Sequence, residues 1–400
     1  MTPRTIELTE YQATRIPHSE LSHELGQQLW QTYGSKGINV EFPAPPTDHK
    51  WELTSQGYVG HIPLSPDVSL RLQPKVPLGN LFAMLEYAYN LKSFRFLEGQ
   101  SQCHNLEDFY ERLASVLAGR ILDRTRQGLY RTYIHKTERL TCLRGRLDIP
   151  HQIRRPWDIK PKCHYQEQTA DIEDNQILLW TLRQITHHGI IREEVSTIVR
   201  RTYRGLQGTI SLIPCHPRIC QGRTYHRLNQ DYQTLHALCH FFLDQTGPSL
   251  QQGNQGMLPF LVNMNQLFES CVAAWLQAHH SEVLELHGLQ LKVQERVHLS
   301  HEHAIYFDID LVLIDIAAGA VRYVLDTKYK ATKTPSTSDI QQAIAYAETQ
   351  GTTEAVLVYP QALTQPLDTR PNKIRVRSLT FDISGNIDEG GRAFVQSLLA

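Results

Sequence analysis

Between Tyr306 and Lys330 the chain reads YFDIDLVLIDIAAGAVRYVLDTKYK. Two runs rich in Val, Ile, Leu and Tyr flank the turn-forming IAAGA, so the pattern predicts two strands of a sheet. Into them are set Asp308, Asp310, Asp326 and Lys328, charges that are costly in a sheet interior unless they are paired. Side chains two apart on a strand share a face, so Val324, Asp326 and Lys328 point one way, and Asp308 and Asp310 point together. If the strands are neighbours, carboxylates and an ammonium converge on one spot. Two carboxylates plus waters make the hard, oxygen-rich surroundings that Mg²⁺ prefers. A lysine beside them can orient a water, help to deprotonate it and stabilise charge developing on a phosphate. Alternation alone leaves Asp308 and Asp310 both open as the first ligand.

The elements that must position these groups follow from the flanking pattern. Upstream, NQLFESCVAAWLQAHH puts Phe268, Val272 and Trp275 on one helical face, with Glu269 at its border. LQLKVQERVHLS alternates as a strand, with Glu295 on the otherwise apolar side. Downstream, SDIQQAIAYAETQ predicts a helix, and Ser338 and Gln341 fit a capping box at its start. Gln342 and Tyr346, four apart on that helix, share a face and can position a lysine, a water or a phosphate. EAVLVYP reads as a buried strand ending at Pro360, and KIRVRSLTFDIS as an edge strand. Helix, three strands, helix and two strands make a mixed sheet with helices packed against it.

The whole chain reads as α/β and multidomain. Residues 1–100 alternate apolar and polar residues between Gly and Pro punctuation and form a β-rich N-terminal region, with LGNLFAMLEYAYNL as a helix. Residues 101–255 form a helical and locally basic middle region. Its first helix carries Leu106, Phe109, Leu113, Val116, Leu117 and Leu122 on one stripe. Residues 256–400 hold the charged sheet, behind a polar linker TGPSLQQGNQGM. Between Arg120 and Lys162, basic residues that include Arg144, Arg146, Arg154 and Arg155 are interleaved with Tyr130, Tyr133 and Trp157. A surface that tracks DNA phosphates uses that mixture. So does a solvated or protein-binding face.

Composition narrows the class. The formal net charge is -1 over 400 residues, so no global basicity points to nucleic acid. The seven cysteines lack CxxC spacing, which favours reduced thiols in a cytoplasm over a disulfide framework or a structural zinc. The N-terminus lacks the apolar core of a signal peptide, and no apolar run approaches the roughly 20 residues that span a bilayer. A soluble, cytoplasmic protein with no membrane role is expected. There is no GxxxxGK[ST] loop, since YGSKGIN lacks the spacing, so this chain is expected to have no nucleotide site.

The Asp…Asp-x-Lys set on adjacent strands, with Glu269 before it and the QAIAY helix after it, resembles the PD-(D/E)xK nuclease site. Further stretches extend the resemblance over most of the chain: LRLQPKVPLGNLFAMLEYAYNL, LRGRLDI, YQEQTADIEDNQILLWTL, NQLFES, FDIDLVL, LDTKYK, SDIQQAIAYA and LVYP. In this order they resemble the McrC family, nuclease subunits of McrBC-type modification-dependent restriction systems. The resemblance implies a C-terminal restriction-endonuclease-like PD-(D/E)xK domain in which Asp310, Asp326 and Lys328 are catalytic. Asp310 and Asp326 would be the metal ligands, with Glu269 and Asp308 as further candidates, and Glu269, Gln342 and Tyr346 would be accessory. Asp310 matches better than Asp308 because the family's carboxylate directly precedes an apolar triplet, here Leu311–Leu313. The family's usual Pro before that Asp is Ile309 here. The resemblance further implies Mg²⁺, for which Mn²⁺ can substitute, and a GTP-hydrolysing McrB-like AAA+ ring as partner, engaged by the N-terminal half. Modified double-stranded DNA would be the substrate, and two copies would meet for double-strand cleavage. A non-catalytic adaptor of the motor would be expected to have lost one of the three catalytic groups. A stand-alone repair nuclease would not need the family-like N-terminal half.

Overall fold

Short alternating runs build the first strands: β1 (Arg4–Thr9), β2 (Thr14–Ile16), β3 (Ile38–Glu41), β4 (Trp51–Ser55), β5 (Tyr58–Ser65) and β6 (Val68–Gln73). In β4 every second residue is buried, with Trp51 and Leu53 inside, the period-two signature of a half-buried strand. Helix α1 (His23–Tyr33) starts at Ser22, whose side chain accepts from Leu25 N and satisfies a free helix donor. Helix α2 (Leu78–Ala88) follows β6 and buries Leu81, Phe82, Met84 and Leu85.

The computed structural model describes residues 4–34, 37–65, 67–75, 78–89, 106–187, 191–246, 259–300, 305–330 and 332–400. The chain divides into two compact units, one formed by Met1–Leu106 together with Gln245–Ala400 and the other by Glu107–Asp244. The first and last of the three expected regions therefore share a unit. The expected linker lies almost wholly outside the described residues.

The second unit comprises α3 (Leu106–Gln127), β7 (Thr132–Arg139), β8 (Arg146–Leu147), α4 (Ile149–Arg154), β9 (Lys162–Thr169), α5 (Glu173–His187), α6 (Glu193–Gln207) and α7 (Tyr232–Asp244). On α3 the buried stripe runs through Phe109, Leu113, Leu117 and Ile121, while Val116 and Leu122 flank it. Asn175 is fully buried and fully used. Its amide donates to Ala170 O at 2.7 Å and Tyr130 O at 2.9 Å, and its oxygen accepts from the Tyr232 hydroxyl at 2.6 Å. Besides the helices, the middle region contains a three-stranded sheet ordered β7-β9-β8 that the sequence reading did not include. The residues of β7 are all half or fully exposed, so that strand carries no apolar alternation to announce it.

The first unit then resumes with β10 (Phe260–Asn263), α8 (Met264–Ala278), α9 (His280–Val283), β11 (Leu289–Ser300), β12 (Ile305–Asp315), β13 (Ala320–Thr327), α10 (Thr337–Gln350), β14 (Glu354–Tyr359), β15 (Asp368–Thr369), β16 (Arg375–Thr380) and α11 (Ile387–Leu399). β10 completes a four-stranded sheet ordered β1-β6-β5-β10. Gly60, at φ +141°, permits that closure, because a Cβ there would lie 2.0 Å from Phe260 O. The second sheet of this unit is ordered β11-β12-β13-β14-β16-β15, antiparallel from β11 to β13 and parallel across β13, β14 and β16. Parallel neighbours need a crossover, and α10 supplies it between β13 and β14. Trp275 of α8 packs against Phe381, which packs in turn on Phe394 of α11. The Trp275 indole donates to Asp388 at 2.9 Å, and the Tyr87 hydroxyl bonds the same carboxylate.

Two local expectations change. The N-cap of α10 is Ser336, whose hydroxyl accepts from Asp339 N at 3.2 Å. Ser338 is already inside the helix, so the Ser338/Gln341 capping box does not form. β16 is second from the edge, because the two-residue β15 pairs outside it.

Candidate active site

Asp326 lies at the end of β13, and Thr327, Lys328 and Tyr329 carry the chain off the sheet. The register sets Leu311 of β12 opposite Leu325 of β13, which brings Asp310 beside the exit of β13. Asp310 Oδ2 accepts from both Thr327 N and Thr327 Oγ1 at 2.7 Å. Those bonds aim the carboxylate and leave Oδ1 open among the described residues. Asp326 is 2% exposed. Its Oδ1 accepts from the Lys328 ammonium at 2.9 Å. Its Oδ2 lies 2.8 Å from the same nitrogen but out of line for a hydrogen bond, so a buried carboxylate oxygen keeps an open lone pair.

Helix α10 completes the arrangement. The Lys328 ammonium donates to Gln342 Oε1 at 3.0 Å, and Gln342 Nε2 donates to the Tyr346 hydroxyl at 2.6 Å. The i, i+4 spacing read from the sequence thus becomes a relay that fixes which way the Gln342 amide points. Two residues on, Lys330 is paired with Asp339 at 2.7 and 2.9 Å, tying the strand exit to the first turn of the same helix.

Glu269 of α8 lies in the field of Asp310 and Lys328. Its Oε1 accepts from Gln294 at 3.2 Å. Gln294 sits opposite Asp310 in the β11–β12 ladder and is held at φ +51°, a conformation uncommon outside glycine. Lys292 and Glu295, which would face opposite sides of a regular strand, pair at 3.3 Å. Glu295 stays in step with Val293 and Val297, opposite Ile309 of β12, while its carboxylate reaches Lys292. Asp308 is half exposed and forms a bidentate pair with Arg296 at 2.7 and 3.0 Å. It is engaged across the sheet, away from the group formed by Asp310, Asp326, Lys328, Glu269, Gln342 and Tyr346.

The electrostatics follow from this crowding. Burial, reinforced by the Asp310 charge, pushes the Asp326 carboxyl up to about 7 even though Lys328 opposes the shift. Burial and Asp310 push Glu269 up to about 7 as well, against Gln294 and Lys328. Burial works against the Lys328 ammonium, but Asp326, Asp310 and Asp339 together hold its pKa above the ordinary value. Carboxylates that resist ionising beside an open carboxylate oxygen are what a divalent cation relieves. Among the described residues no three His, Cys, Asp or Glu side chains are grouped closely enough to enclose an ion by themselves. Asp310 and Asp326 are hard oxygen donors of the kind Mg²⁺ takes, and they are the residues that would hold it.

The four candidate DNA-contacting arginines lie in the other unit. Arg144 pairs with Glu167 at 3.2 Å and stacks on Tyr165 at 4.2 Å. Arg146, Arg154 and Arg155 are exposed, and no ion pair reaches them among the described residues. Around them Leu143, Ile149, Ile153, Trp157 and Ile159 are also exposed, Ile159 to 93%. Gln294 and Thr327 are the site residues that sequence reasoning missed. Thr327 stands between Asp326 and Lys328 and could have been noticed. Gln294 gives no local signal, because nothing in QER marks a left-handed residue.

Comparison with known proteins accords with this architecture. The family model for the McrBC 5-methylcytosine restriction system component matches residues 53–360. That span, on a mixed α/β chain with this arrangement of sheets, defines a restriction-system component. The chain belongs to the McrBC 5-methylcytosine restriction system component family. It is 26% identical over 205 residues to the type IV methyl-directed restriction enzyme EcoKMcrBC of Escherichia coli (strain K12), a match covering 49% of this chain and 56% of that protein. The chain thus spans little more than half the length of this curated relative. Among solved structures it resembles a chain of the half-complex from the tetradecameric assembly of Thermococcus gammatolerans McrB AAA+ hexamers with bound McrC. The TM-score is 0.56 and the identity 19%, over 99% of this chain and 100% of that one. A chain of the Thermococcus gammatolerans McrBC complex aligns with TM-score 0.44 and 19% identity, over 69% of this chain and 88% of that one. No described helix is long and apolar enough to cross a membrane.

Proposed function

We propose that this chain is the DNA endonuclease subunit of a GTP-driven, modification-dependent restriction system, with a PD-(D/E)xK site built from Asp310, Asp326 and Lys328. The observation that carries this reading is the convergence of those three groups at the exit of β13, braced by Gln342 and Tyr346 from the next helix. Asp310 and Asp326 would hold Mg²⁺, with Mn²⁺ as a substitute. Bound there, the ion would supply a Lewis acid that offsets negative charge on the phosphate.

The residues of the chain do the rest. Thr327 orients Asp310. Gln342 and Asp326 hold the Lys328 ammonium where it can donate to the attacking water or to a phosphate oxygen. Water adds to phosphorus, the bond from phosphorus to one sugar oxygen breaks, and the proton released by the water balances the one taken up by the leaving alkoxide. Glu269, with its raised pKa, is placed to exchange a proton near the site. The chain would act with a McrB-like AAA+ ring that binds GTP and would stimulate its GTPase. Modified double-stranded DNA is the substrate in this reading, with Arg146, Arg154 and Arg155 offering free positive charge. Two copies would supply the two cuts of a double-strand break.

The test is plasmid cleavage by the full chain with its motor partner, GTP and Mg²⁺, comparing wild type with Asp326→Ala. Cleavage should vanish in the variant while GTPase stimulation persists. Equal cleavage by both proteins would sink the assignment.

A further inference from the structure

Three buried polar groups of the first unit lie beside the exit of β13, the Glu10 carboxyl, the Lys75 ammonium and the Tyr329 hydroxyl, and the last faces the Glu10 carboxyl. Lys75, from the LRLQPKVP stretch, follows β6. Its ammonium lies between two rings, 4.2 Å from the centroid of Tyr11 and 4.4 Å from that of Tyr329. A desolvated ammonium over ring faces is a directional contact. Glu10, 1% exposed, supplies the countercharge, and its Oε2 accepts from Lys75 N at 3.4 Å. Burial pushes the Glu10 carboxyl up to about 7 and lowers the Lys75 ammonium, so these charges depend on each other.

The same turn reaches α8. Tyr11 is held at φ +60°, with its N–H donating to Ser55 O at 2.8 Å. Its hydroxyl faces the Asn265 amide across Gly57. Gly57 is required there, since at φ +78° a Cβ would meet Asn265 Nδ2 at 2.5 Å and the Tyr11 hydroxyl at 2.9 Å. Met264 N also donates to Gly57 O at 2.8 Å. Asn265 lies four residues before Glu269, hence on the same side of α8. The β1–β6 end of the N-terminal sheet thus touches the residue after Lys328 and the helix that carries Glu269.

We infer that Lys75 is a positioning residue for the nuclease site: clamped between Tyr11 and Tyr329, it fixes the backbone after β13 so that the Lys328 ammonium stays seated against Asp326 and Gln342. The inference rests on reading Asp310, Asp326 and Lys328 as a nuclease site. Lys330, held by Asp339, anchors the same segment from α10, so both residues that follow Lys328 are fixed.

The experiment uses the full chain with its motor partner, GTP and Mg²⁺, with Asp326→Ala as the control. Lys75→Met and Tyr329→Leu should lower kcat of DNA cleavage about tenfold to a hundredfold, as a small misplacement of a catalytic group does. KM for DNA and stimulation of the partner's GTPase should be unchanged. Lys75→Arg and Tyr329→Phe, which keep the charge and the ring, should retain the wild-type kcat. Because Lys75→Met strands a buried carboxyl, Glu10→Gln combined with Lys75→Met is the second test. It should unfold at the wild-type temperature and still show the loss in kcat. Wild-type kcat in folded Tyr329→Leu and in the double variant overturns the inference, as does a loss that appears equally in Lys75→Arg. If Asp326→Ala cleaves like wild type, it is the nuclease reading itself that fails.

Discussion

Two regions of this molecule are dense in charge, and they use it in opposite ways. At the exit of β13, Asp310, Asp326, Lys328 and Lys330 each touch a named partner, and Asp326 is almost wholly buried. Around β8 and α4, Arg146, Arg154 and Arg155 project into solvent among exposed Ile153, Trp157 and Ile159. Burial makes a charge expensive, so every member of the first group must be oriented, and its absence should be felt sharply. Solvent makes the second group cheap and interchangeable, so its contribution should be graded and sensitive to salt.

That contrast can be broken first at the paired aspartates of β12. Asp310→Ala should cut the cleavage rate by about a hundredfold to a thousandfold, the scale of losing one preorganised electrostatic group. Asp308→Ala, which only frees Arg296, should cleave at the wild-type rate. A reversal of these rates would move the metal-binding role to Asp308. Next comes the response to Mg²⁺. Asp326 and Glu269 have raised pKa values, so without metal they contribute stability below the ordinary carboxylate range that is lost as pH rises toward about 7. Mg²⁺ favours the ionised carboxylates and should raise the unfolding temperature more at pH 8 than at pH 6. Asp326→Asn should lose that difference, and an Mg²⁺ effect independent of pH would refute the carboxylate site. The smallest effect is expected in the exposed region. Arg154→Ala with Arg155→Ala should weaken DNA binding and reduce its salt slope by about one for each phosphate no longer neutralised, with the unfolding temperature unchanged. An unaltered slope would assign that face to a partner other than DNA.

How far these regions could be read from sequence differs for the same physical reason. Strand alternation is local, so the shared face of Asp326 and Lys328 and the helical pairing of Gln342 with Tyr346 were legible. Strand β7 was missed because a strand exposed on both faces shows no apolar period. Gln294 was missed because its left-handed backbone and its bond to Glu269, 25 residues earlier, leave no local mark. Lys75 was beyond reach for a further reason: its partners Glu10 and Tyr329 are distant in the chain, and local pattern carries no information on such pairings. Ser338 was a near miss, as Ser336 also precedes the helix and only the backbone distinguishes the two.

The strand β10 closes the N-terminal sheet, yet it is encoded after the entire second unit. During synthesis, β5 must wait with an open edge until residue 260 has left the ribosome, on the order of ten seconds or more at ordinary elongation rates. Cells that make this protein therefore expose a half-built sheet for that interval, which invites mispairing with other nascent strands. Opening the chain just before β10 by circular permutation would place that strand ahead of β1 to β6 in synthesis, so that β5 meets it without delay, and should raise the soluble yield without touching a single residue of the site.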